Sequence, residues 1–380
     1  MGYAFDTRCI HGDVRVNPDA YGAVSVPIYQ TATFAHPEVG KSTGYDYSRE
    51  SNPTRAALER VIASLEGASD AIATSSGMSA IDLALGLLPE HAHLVCTEDL
   101  YGGTVRILDS RKKSTGLSYT QVDTADTAAV EAAITPETKA LYIETPSNPT
   151  MRVTDLRAMK KLAVSHGLLL IVDNTFLSPY FQKPISLGAD IVVHSGTKFI
   201  GGHNDSLAGY VCIADPEGAK QLRFDYKTIG MMLSPFDSFL QLRGVKTLPL
   251  RMEKQQANAM KIAGWLRENP KVTEVFYIGL PDHPGYEINR HQASGFGSMI
   301  SFRVDSRETA IRVLNHVKLV QYAESLGGVE SLITYPMLQT HGDVPADERE
   351  KLGITETFLR LSVGIEDADD LIQDLEQAFG

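Results

Sequence analysis

The sequence has few cysteines, no long apolar run and no excess of basic residues, and each shortage excludes a class of protein. The three cysteines, Cys9, Cys96 and Cys212, lie far apart, so neither a disulfide framework nor a zinc site is expected. No apolar run approaches the roughly 20 residues that a membrane helix requires. The N-terminus lacks a basic region followed by an apolar stretch, so we predict no signal peptide and a cytoplasmic protein.

The charge balance argues against a nucleic-acid partner. The formal net charge is -12 at pH 7, and such a charge is repelled by a phosphate backbone. Hydrophobic residues make up 43% of the chain and charged residues 22%, which is typical of a soluble globular protein. A chain of 380 residues is long enough for one large domain and one smaller domain.

The pattern along the chain divides it into three regions. Residues 1–50 are rich in turn residues and aromatics without clear periodicity, and we predict an irregular arm that contacts a neighbouring subunit. Residues 51–245 alternate short apolar runs with helical segments, which predicts a large α/β domain whose mostly parallel sheet is covered on both faces. Residues 246–380 are predicted to form a smaller α+β domain.

Several elements are specific enough to be placed. Asn52 and Pro53 predict a helix start and Gly67 its end. Strands of the large sheet are predicted at 71–73, 94–96, 140–143, 168–172, 191–193 and 208–213. In the last region we expect helices over 252–266 and 308–317, strands over 275–278 and 299–304, and a terminal helix with Leu371 and Leu375 on its apolar face.

Reactive residues follow three of the predicted strands. Because ligands bind at the carboxyl ends of parallel strands, these positions are the candidates for chemistry. Asp173 is either a cap or a buried carboxylate with a cationic partner. Lys198 follows small residues that could hold a phosphate, and a lysine in a closed pocket has the lowered pKa that imine formation requires. Residues 75–78 join a strand to a helix, where backbone N–H groups bind anions.

Together these three features fit pyridoxal phosphate better than any one of them does alone. The phosphate needs an anion cradle, the pyridine nitrogen needs an acid that keeps it protonated, and the aldehyde needs a lysine. No metal is required by this combination.

The chain also resembles a known family, the Cys/Met-metabolism group of fold-type-I pyridoxal-phosphate enzymes, which contains cystathionine γ-lyase, cystathionine β-lyase, cystathionine γ-synthase and methionine γ-lyase. The resemblance extends from about Thr7 to Phe379. Its most specific stretches are 45–49, 52–55, 144–149, 172–175, 194–198, 325–332 and 360–366. It implies an aspartate-aminotransferase-like large domain with a seven-stranded sheet. It also implies a homotetramer, a dimer of dimers whose active sites are shared between subunits.

The resemblance assigns roles residue by residue. It implies that Lys198 is the Schiff-base lysine, that Tyr101 stacks on the cofactor ring and shares in proton transfer, and that Asp173 is the partner of the pyridine nitrogen. The other implied cofactor contacts are Gly77, Met78, Ser195 and Thr197, with Tyr47 and Arg49 reaching the phosphate of a neighbouring subunit. The implied substrate contacts are Asn148, Arg360, Ser325, Glu324 and Arg106.

The implied activity is a cystathionine γ- or β-lyase that cleaves a C–S bond and releases a thiol, ammonia and a 2-oxo acid. The alternative is cystathionine γ-synthase, and a non-catalytic cofactor-binding regulator is the alternative from another class. Gly103 stands where methionine γ-lyases usually have cysteine, which argues against that member. Glu324 is either a carboxylate that binds a distal amino group or an exposed loop acid.

Overall fold

The computed structural model describes residues 2–12, 21–342, 344 and 346–380, and these residues form two sheets with their covering helices. The helices are α1 (Phe5–His11), α2 (Pro53–Glu66), α3 (Gly77–Leu85), α4 (Gly102–Thr115), α5 (Thr127–Ala132), α6 (Leu156–His166), α7 (Ser178–Phe181), α8 (Pro184–Leu187), α9 (Pro216–Ile229), α10 (Pro235–Val245), α11 (Leu248–Glu268), α12 (Tyr286–Gln292), α13 (Arg307–His316), α14 (Ala346–Lys351) and α15 (Ala368–Phe379). The strands are β1 (Asp70–Thr74), β2 (His93–Thr97), β3 (Ser118–Val122), β4 (Thr138–Glu144), β5 (Leu169–Asp173), β6 (Ile191–Ser195), β7 (Gly209–Ile213), β8 (Val272–Phe276), β9 (Met299–Val304), β10 (Gln321–Tyr322), β11 (Leu332–Thr334) and β12 (Phe358–Ser362).

The larger sheet has seven strands in the order β1-β7-β6-β5-β4-β2-β3. Strands β3, β2, β4, β5 and β6 pair in parallel, whereas β7 is antiparallel to both of its neighbours, β6 and β1. Parallel neighbours need crossover connections, and here helices supply them. The predicted mostly parallel seven-stranded sheet is confirmed.

Both faces of this sheet are buried. Successive side chains of a strand point to opposite faces, and on β5 Leu170 and Val172 belong to the apolar cluster that includes α2 and α6. Ile171, between them, belongs to the opposite cluster, which includes α3 and α9. Two apolar faces explain the continuous apolar runs in the sequence and leave polar residues for the strand ends.

The smaller sheet has five strands in the order β10-β11-β12-β9-β8. Helices α11, α13 and α15 cover its apolar side chains, including Phe302, Leu359 and Leu361. The antiparallel pairing of β12 with β9 and β11 fixes Arg360 opposite Ser301 and Thr334. The predicted domain boundary at residues 245 and 246 lies between α10 and α11, and the division at that point stays a proposal.

Most of the predicted elements are present, and the exceptions have physical reasons. Asn52 accepts a hydrogen bond from the N–H of Thr54 at 3.0 Å and caps α2, and Gly67 ends that helix with φ of 77°. Strand β3 was not predicted, because its sequence Ser-Tyr-Thr-Gln-Val is polar and only part-buried at the sheet edge. Strand β8 lies about three residues earlier than predicted, so Tyr277 and Ile278 follow it.

The arm is not irregular throughout, and that part of the prediction is wrong. Residues Phe5–His11 form α1, a short helix whose Cys9 is buried. Tertiary contacts stabilise it, because the ring of Phe5 lies 5.3 Å from that of Tyr180 and Arg8 donates to the carbonyl of Ser64. Residues 21–52 contain no helix. Residues 1 and 13–20 of the predicted arm lie outside the described residues.

In the described part of the chain, no helix combines the length and apolar character needed to cross a bilayer. No group of three or more His, Cys, Asp or Glu side chains within it is arranged to hold a metal ion. The three cysteines are buried and unpaired there.

The cap of α2 gives a test of the fold. Asn52 is fully buried and also donates to the carbonyl of Tyr29 at 2.9 Å, so Asn52→Ala should lower the free energy of unfolding by about 2 kcal/mol. Asp126 caps α5 at an exposed position where water can replace it, so Asp126→Ala should cost only about 0.5 kcal/mol. Urea denaturation midpoints measure both, and equal losses would contradict this account of the cap.

Candidate active site

One cavity lies where the carboxyl ends of β1, β2, β4, β5 and β6 meet loops of the smaller sheet. This is the edge at which ligands bind in open α/β sheets. Of the predicted site residues, the wall contains Gly77, Met78, Tyr101, Asn148, Asp173, Ser195, Thr197, Lys198, Glu324, Ser325 and Arg360. Positions that lie far apart in the sequence are thus brought together in one place.

Lys198 lies on the turn after β6 and faces the smaller sheet. Its Nζ donates to the Oγ of Ser325 at 2.8 Å. Burial and the nearby charge of Arg360 lower the pKa of Lys198 to about 8, with Glu324 opposing the shift. This amine therefore loses its proton near neutral pH far more readily than an ordinary lysine, as a nucleophile or base requires. Ser325 has φ of 95°, an uncommon backbone conformation for a residue with a side chain.

Arg360 is a buried cation on the central strand β12. Only 1% of the residue is exposed, and its guanidinium donates to Asn148 Oδ1 at 2.7 Å, to the carbonyl of Ser325 at 3.0 Å and to Thr334 Oγ1 at 3.2 Å. These acceptors are all neutral, and Nε has no partner among the described residues. Burial lowers the pKa of Arg360 to about 10. A cation in this setting favours an incoming anion.

Asp173 and Glu144 end neighbouring parallel strands, β5 and β4, and both line the cavity. Burial raises the pKa of Asp173, against the hydrogen bond that its Oδ1 accepts from the N–H of Thr175 at 3.0 Å. Burial and the charge of Asp173 raise the pKa of Glu144 well above its usual range. Because two close buried acids oppose each other's ionisation, a cation placed between the walls would favour the charged form of Asp173.

The connection from β1 to α3 has the geometry of an anion cradle. Ser76 caps α3 by accepting from the N–H of Ser79, so the amides of Gly77 and Met78 are in the first helical turn. A Cβ on Gly77 would lie 2.9 Å from the Cβ of Ser195, so glycine is needed where these two walls approach. Thr197 is held by Ala208, whose N–H donates to Thr197 Oγ1 at 3.1 Å. First-turn amides favour anions.

Tyr101 precedes α4 at the mouth of the cavity. Its backbone N–H donates to Glu144 Oε2 at 3.0 Å, while 37% of the residue is exposed. A Cβ on Gly103 would lie 2.4 Å from Cε1 of Tyr101 and 2.8 Å from Sδ of Met78. Gly103 therefore leaves room for the ring of Tyr101, and a cysteine side chain at this position would displace that ring.

Three of the predicted site residues lie away from the cavity. Tyr47 and Arg49 are in the arm, where the guanidinium of Arg49 lies 5.4 Å from the ring of Tyr47 and donates to the carbonyl of Lys227 at 2.5 Å. Arg106 is exposed on α4. Within a single chain these residues do not line the cavity with Lys198, and their predicted roles stay predictions.

The cavity also contains residues whose position the sequence did not reveal. Glu144 lies in a recognised stretch, but its role as a buried acid depends on the pairing of β4 with β5. Thr175 lines the wall, and its Oγ1 accepts from the N–H of Ser195 at 2.9 Å. Thr340 comes from the segment after β11. A polar residue at the end of a strand, for Glu144, or two positions beyond one, for Thr175, was the only signal available for the first two.

The donor set fits pyridoxal phosphate. Lys198 has the lowered pKa that covalent attachment needs, and among the described residues no lysine or arginine forms an ion pair with Asp173. The ring nitrogen would supply that missing cation, and the cradle at Gly77 and Met78 would hold the phosphate. Arg360 remains available for the carboxylate of an amino acid.

Comparison with known proteins supports this interpretation. The family described as Cys/Met metabolism PLP-dependent enzyme matches residues 6–380. Cystathionine gamma-lyase of Bacillus subtilis (strain 168) is 49% identical over 373 residues, covering 98% of this chain and 98% of that protein. Cystathionine beta-lyase of Lactococcus lactis subsp. cremoris (strain MG1363) is 46% identical over 373 residues, with the same 98% coverage of both.

A solved structure shares the whole fold. The cystathionine gamma synthase from Xanthomonas oryzae pv. oryzae, in complex with aminoacrylate and cysteine, matches 100% of this chain and 98% of its own with a TM-score of 0.97 and 39% identity. This likeness confirms the predicted fold-type-I architecture. The chain belongs to the Cys/Met-metabolism family of pyridoxal-phosphate-dependent enzymes.

Proposed function

We propose that this enzyme is a cystathionine γ- or β-lyase that cleaves a C–S bond and releases a thiol, ammonia and a 2-oxo acid. The observation that supports it best is the buried guanidinium of Arg360, which has only neutral hydrogen-bond partners among the described residues, has no partner there for its Nε, and whose charge acts on Lys198. An α-amino acid supplies the carboxylate that this cation lacks. The similarity to lyases at 49% and 46% identity supports the reaction class.

Arg360 and Asn148 would fix the substrate carboxylate. The hydrogen bond from Arg360 to Asn148 at 2.7 Å holds the two side chains next to each other, so that both could contact one carboxylate. With the carboxylate on the guanidinium, the Cα–H bond would be directed toward Lys198, because Arg360 also contacts Ser325, the hydrogen-bond partner of that lysine. Fixing one end of a substrate in this way reduces the entropy lost in the reaction.

Lys198 is the group that would move protons. Its Nζ would remove the proton from Cα, and the bound cofactor supplies the electron sink that makes this carbon acidic. For a sulfur on Cβ, Lys198 needs to act once. For a sulfur on Cγ, a second proton must leave Cβ, and Lys198 with Tyr101 at the cavity mouth would carry it.

Glu324 is the candidate for recognising the distal part of the substrate. It is exposed, lines the cavity, and its charge raises the pKa of both Lys198 and Arg360, so it faces the two cations of the site. An accessible carboxylate at this place would bind the distal ammonium group of cystathionine. This combines the two interpretations of Glu324, because the residue is both exposed and part of the wall.

The alternative function is cystathionine γ-synthase, the activity named for the Xanthomonas oryzae enzyme that shares the fold. In both cases the active form would be a homotetramer in which Tyr47 and Arg49 reach the cofactor phosphate of a neighbouring subunit. Their separation from the cavity within one chain supports that arrangement. The cytoplasmic location stays a prediction.

Incubation with cystathionine alone tests the function. We expect prompt release of 2-oxobutyrate if the enzyme cleaves at Cγ, or of pyruvate if it cleaves at Cβ. Either 2-oxo acid is measured by coupling its reduction to lactate dehydrogenase. Lys198→Ala should form neither product. Turnover that begins only when an O-acylhomoserine and cysteine are added would instead identify the synthase. Cofactor binding without any amino-acid-dependent spectral change would identify the regulator and contradict both enzymes.

Arg360→Lys tests the carboxylate site. A lysine keeps the charge but cannot make the bidentate contact, so KM for the amino acid should rise by roughly 10- to 100-fold. The control is Arg303→Lys on the neighbouring strand β9, outside the cavity, for which KM should not change. Steady-state kinetics decide between them, and an unchanged KM for Arg360→Lys would exclude this role.

The pKa of Lys198 predicts how cofactor attachment depends on pH. Because only the neutral amine reacts, the rate at which the cofactor-free protein takes up pyridoxal phosphate should rise with a midpoint near pH 8 rather than near the ordinary 10.5. Glu324→Gln removes a charge that raises this pKa, so the midpoint should fall. Stopped-flow absorbance measures both, and a midpoint near 10.5 would be inconsistent with a desolvated lysine.

A further inference from the structure

Two fully buried polar side chains face each other behind the cavity wall without completing a hydrogen bond. His341 Nε2 lies 3.9 Å from Asp99 Oδ1, and the two residues are 1% and 0% exposed. Neither atom completes a hydrogen bond of ordinary geometry with any described residue, although the carbonyl of Leu100 lies close enough to the imidazole to raise its pKa. A buried polar atom without a partner costs about 1–3 kcal/mol, so the juxtaposition of two such atoms calls for a function.

The other oxygen of Asp99 joins two loops of the larger sheet. Asp99 Oδ2 accepts from Ser147 Oγ at 2.8 Å, from the N–H of Thr150 at 3.0 Å and from Thr150 Oγ1. Asp99 lies two residues before Tyr101, and Ser147 immediately precedes Asn148. Because Oδ2 is fully used, only Oδ1 remains for a group from the smaller sheet.

His341 comes from that side. It lies in the segment 335–342 after β11, and its Nδ1 is 3.0 Å from the Oγ1 of Thr340. Thr340 lines the cavity, and its carbonyl oxygen packs so closely on Gly102 that a Cβ there would lie only 2.7 Å away. The segment therefore touches the start of α4 directly beside Tyr101.

The charges around the imidazole indicate its protonation. Burial and the cations Arg360 and Arg349 lower the pKa of His341, against Asp99 and the carbonyl of Leu100, which raise it. The ring is therefore neutral near pH 7. A neutral imidazole has one donor and one acceptor, so Nδ1 can accept from the Thr340 hydroxyl while Nε2–H points at Asp99.

We propose that His341 is a positioning residue, which through a hydroxyl–imidazole–carboxylate chain from Thr340 to Asp99 fixes the segment 335–342 against the loops that carry Tyr101 and Asn148. The chain joins the two sheets at the point where their walls meet over the cavity. At 3.9 Å the link from His341 Nε2 to Asp99 Oδ1 is a polar contact, and a closer approach of the imidazole would turn it into a hydrogen bond. This inference goes beyond the proposed function, because it concerns how the wall is assembled and not which bond is cleaved.

Two variants of His341 separate this role from simple packing. The amide nitrogen of His341→Gln reaches the place of Nε2 and can donate to Asp99, whereas the shorter amide of His341→Asn reaches only the place of Nδ1. We expect His341→Asn to lower kcat for cystathionine by about 10-fold or more, the size typical of a displaced catalytic wall, and His341→Gln to stay within about threefold of the wild type. KM, cofactor content and melting temperature are measured for each variant.

A readout that does not depend on the reaction accompanies the kinetics. Amide hydrogen exchange of the holoenzyme should be faster in peptides covering 99–104 and 335–342 for His341→Asn, and unchanged for His341→Gln. Equal kinetic and exchange effects for the two variants, or no effect of His341→Asn, would overturn the proposal. If the wild type cleaves no cystathionine, the proposed function fails, and the exchange comparison alone still decides the role of His341.

Discussion

A buried arginine without a carboxylate partner is the constraint on which the site depends. Taking a guanidinium out of water costs several kcal/mol unless an anion or good acceptors compensate it. Arg360 meets only neutral oxygens, and its Nε stays unpaired among the described residues. Although Asp173, Glu144 and Glu324 also line the cavity, this guanidinium has no anionic partner in the described part of the wall, and we propose that an amino-acid carboxylate provides one. After burial, the charge of Arg360 also contributes to the lowered pKa of Lys198, which links the proposed carboxylate site to the proposed proton transfer.

Neither sheet could build this cavity alone. The larger sheet supplies Lys198 and Asp173 at the ends of neighbouring parallel strands, together with the amides at the start of α3. The smaller sheet supplies Arg360 from a central antiparallel strand and Ser325 from the loop beside it. The hydrogen bond from Lys198 to Ser325 and the bond from Arg360 to Asn148 join the two parts. We therefore expect catalysis to depend on how precisely the smaller sheet is seated on the larger one, which is where the His341–Asp99 contact lies.

Helices and strands with a clear periodic pattern were predictable from the sequence, whereas elements that only tertiary contacts stabilise were missed. Strands buried on both faces, such as β5, were visible as apolar runs, and the capped helix α2 was visible from Asn52. The edge strand β3 and the seven-residue helix α1 were missed, because neither has a local pattern strong enough to specify it. In the site, Lys198 and Asp173 were recognisable beside small residues and a strand end. Glu144 and Thr340 were not, since their positions depend on pairing between strands and on contact between the sheets.

Reduction of the holoenzyme with sodium borohydride, followed by peptide mass spectrometry, measures most directly whether Lys198 is the centre of this site. Reduction makes the bond between the cofactor and its lysine permanent, so the modified residue can be read from the peptide. We expect one pyridoxyl group per chain, attached to Lys198, and its absence after preparation of the cofactor-free protein. A pyridoxyl group on any other lysine, or none in a protein that retains the cofactor, would contradict the assignment of the cavity and the chemistry that follows from it.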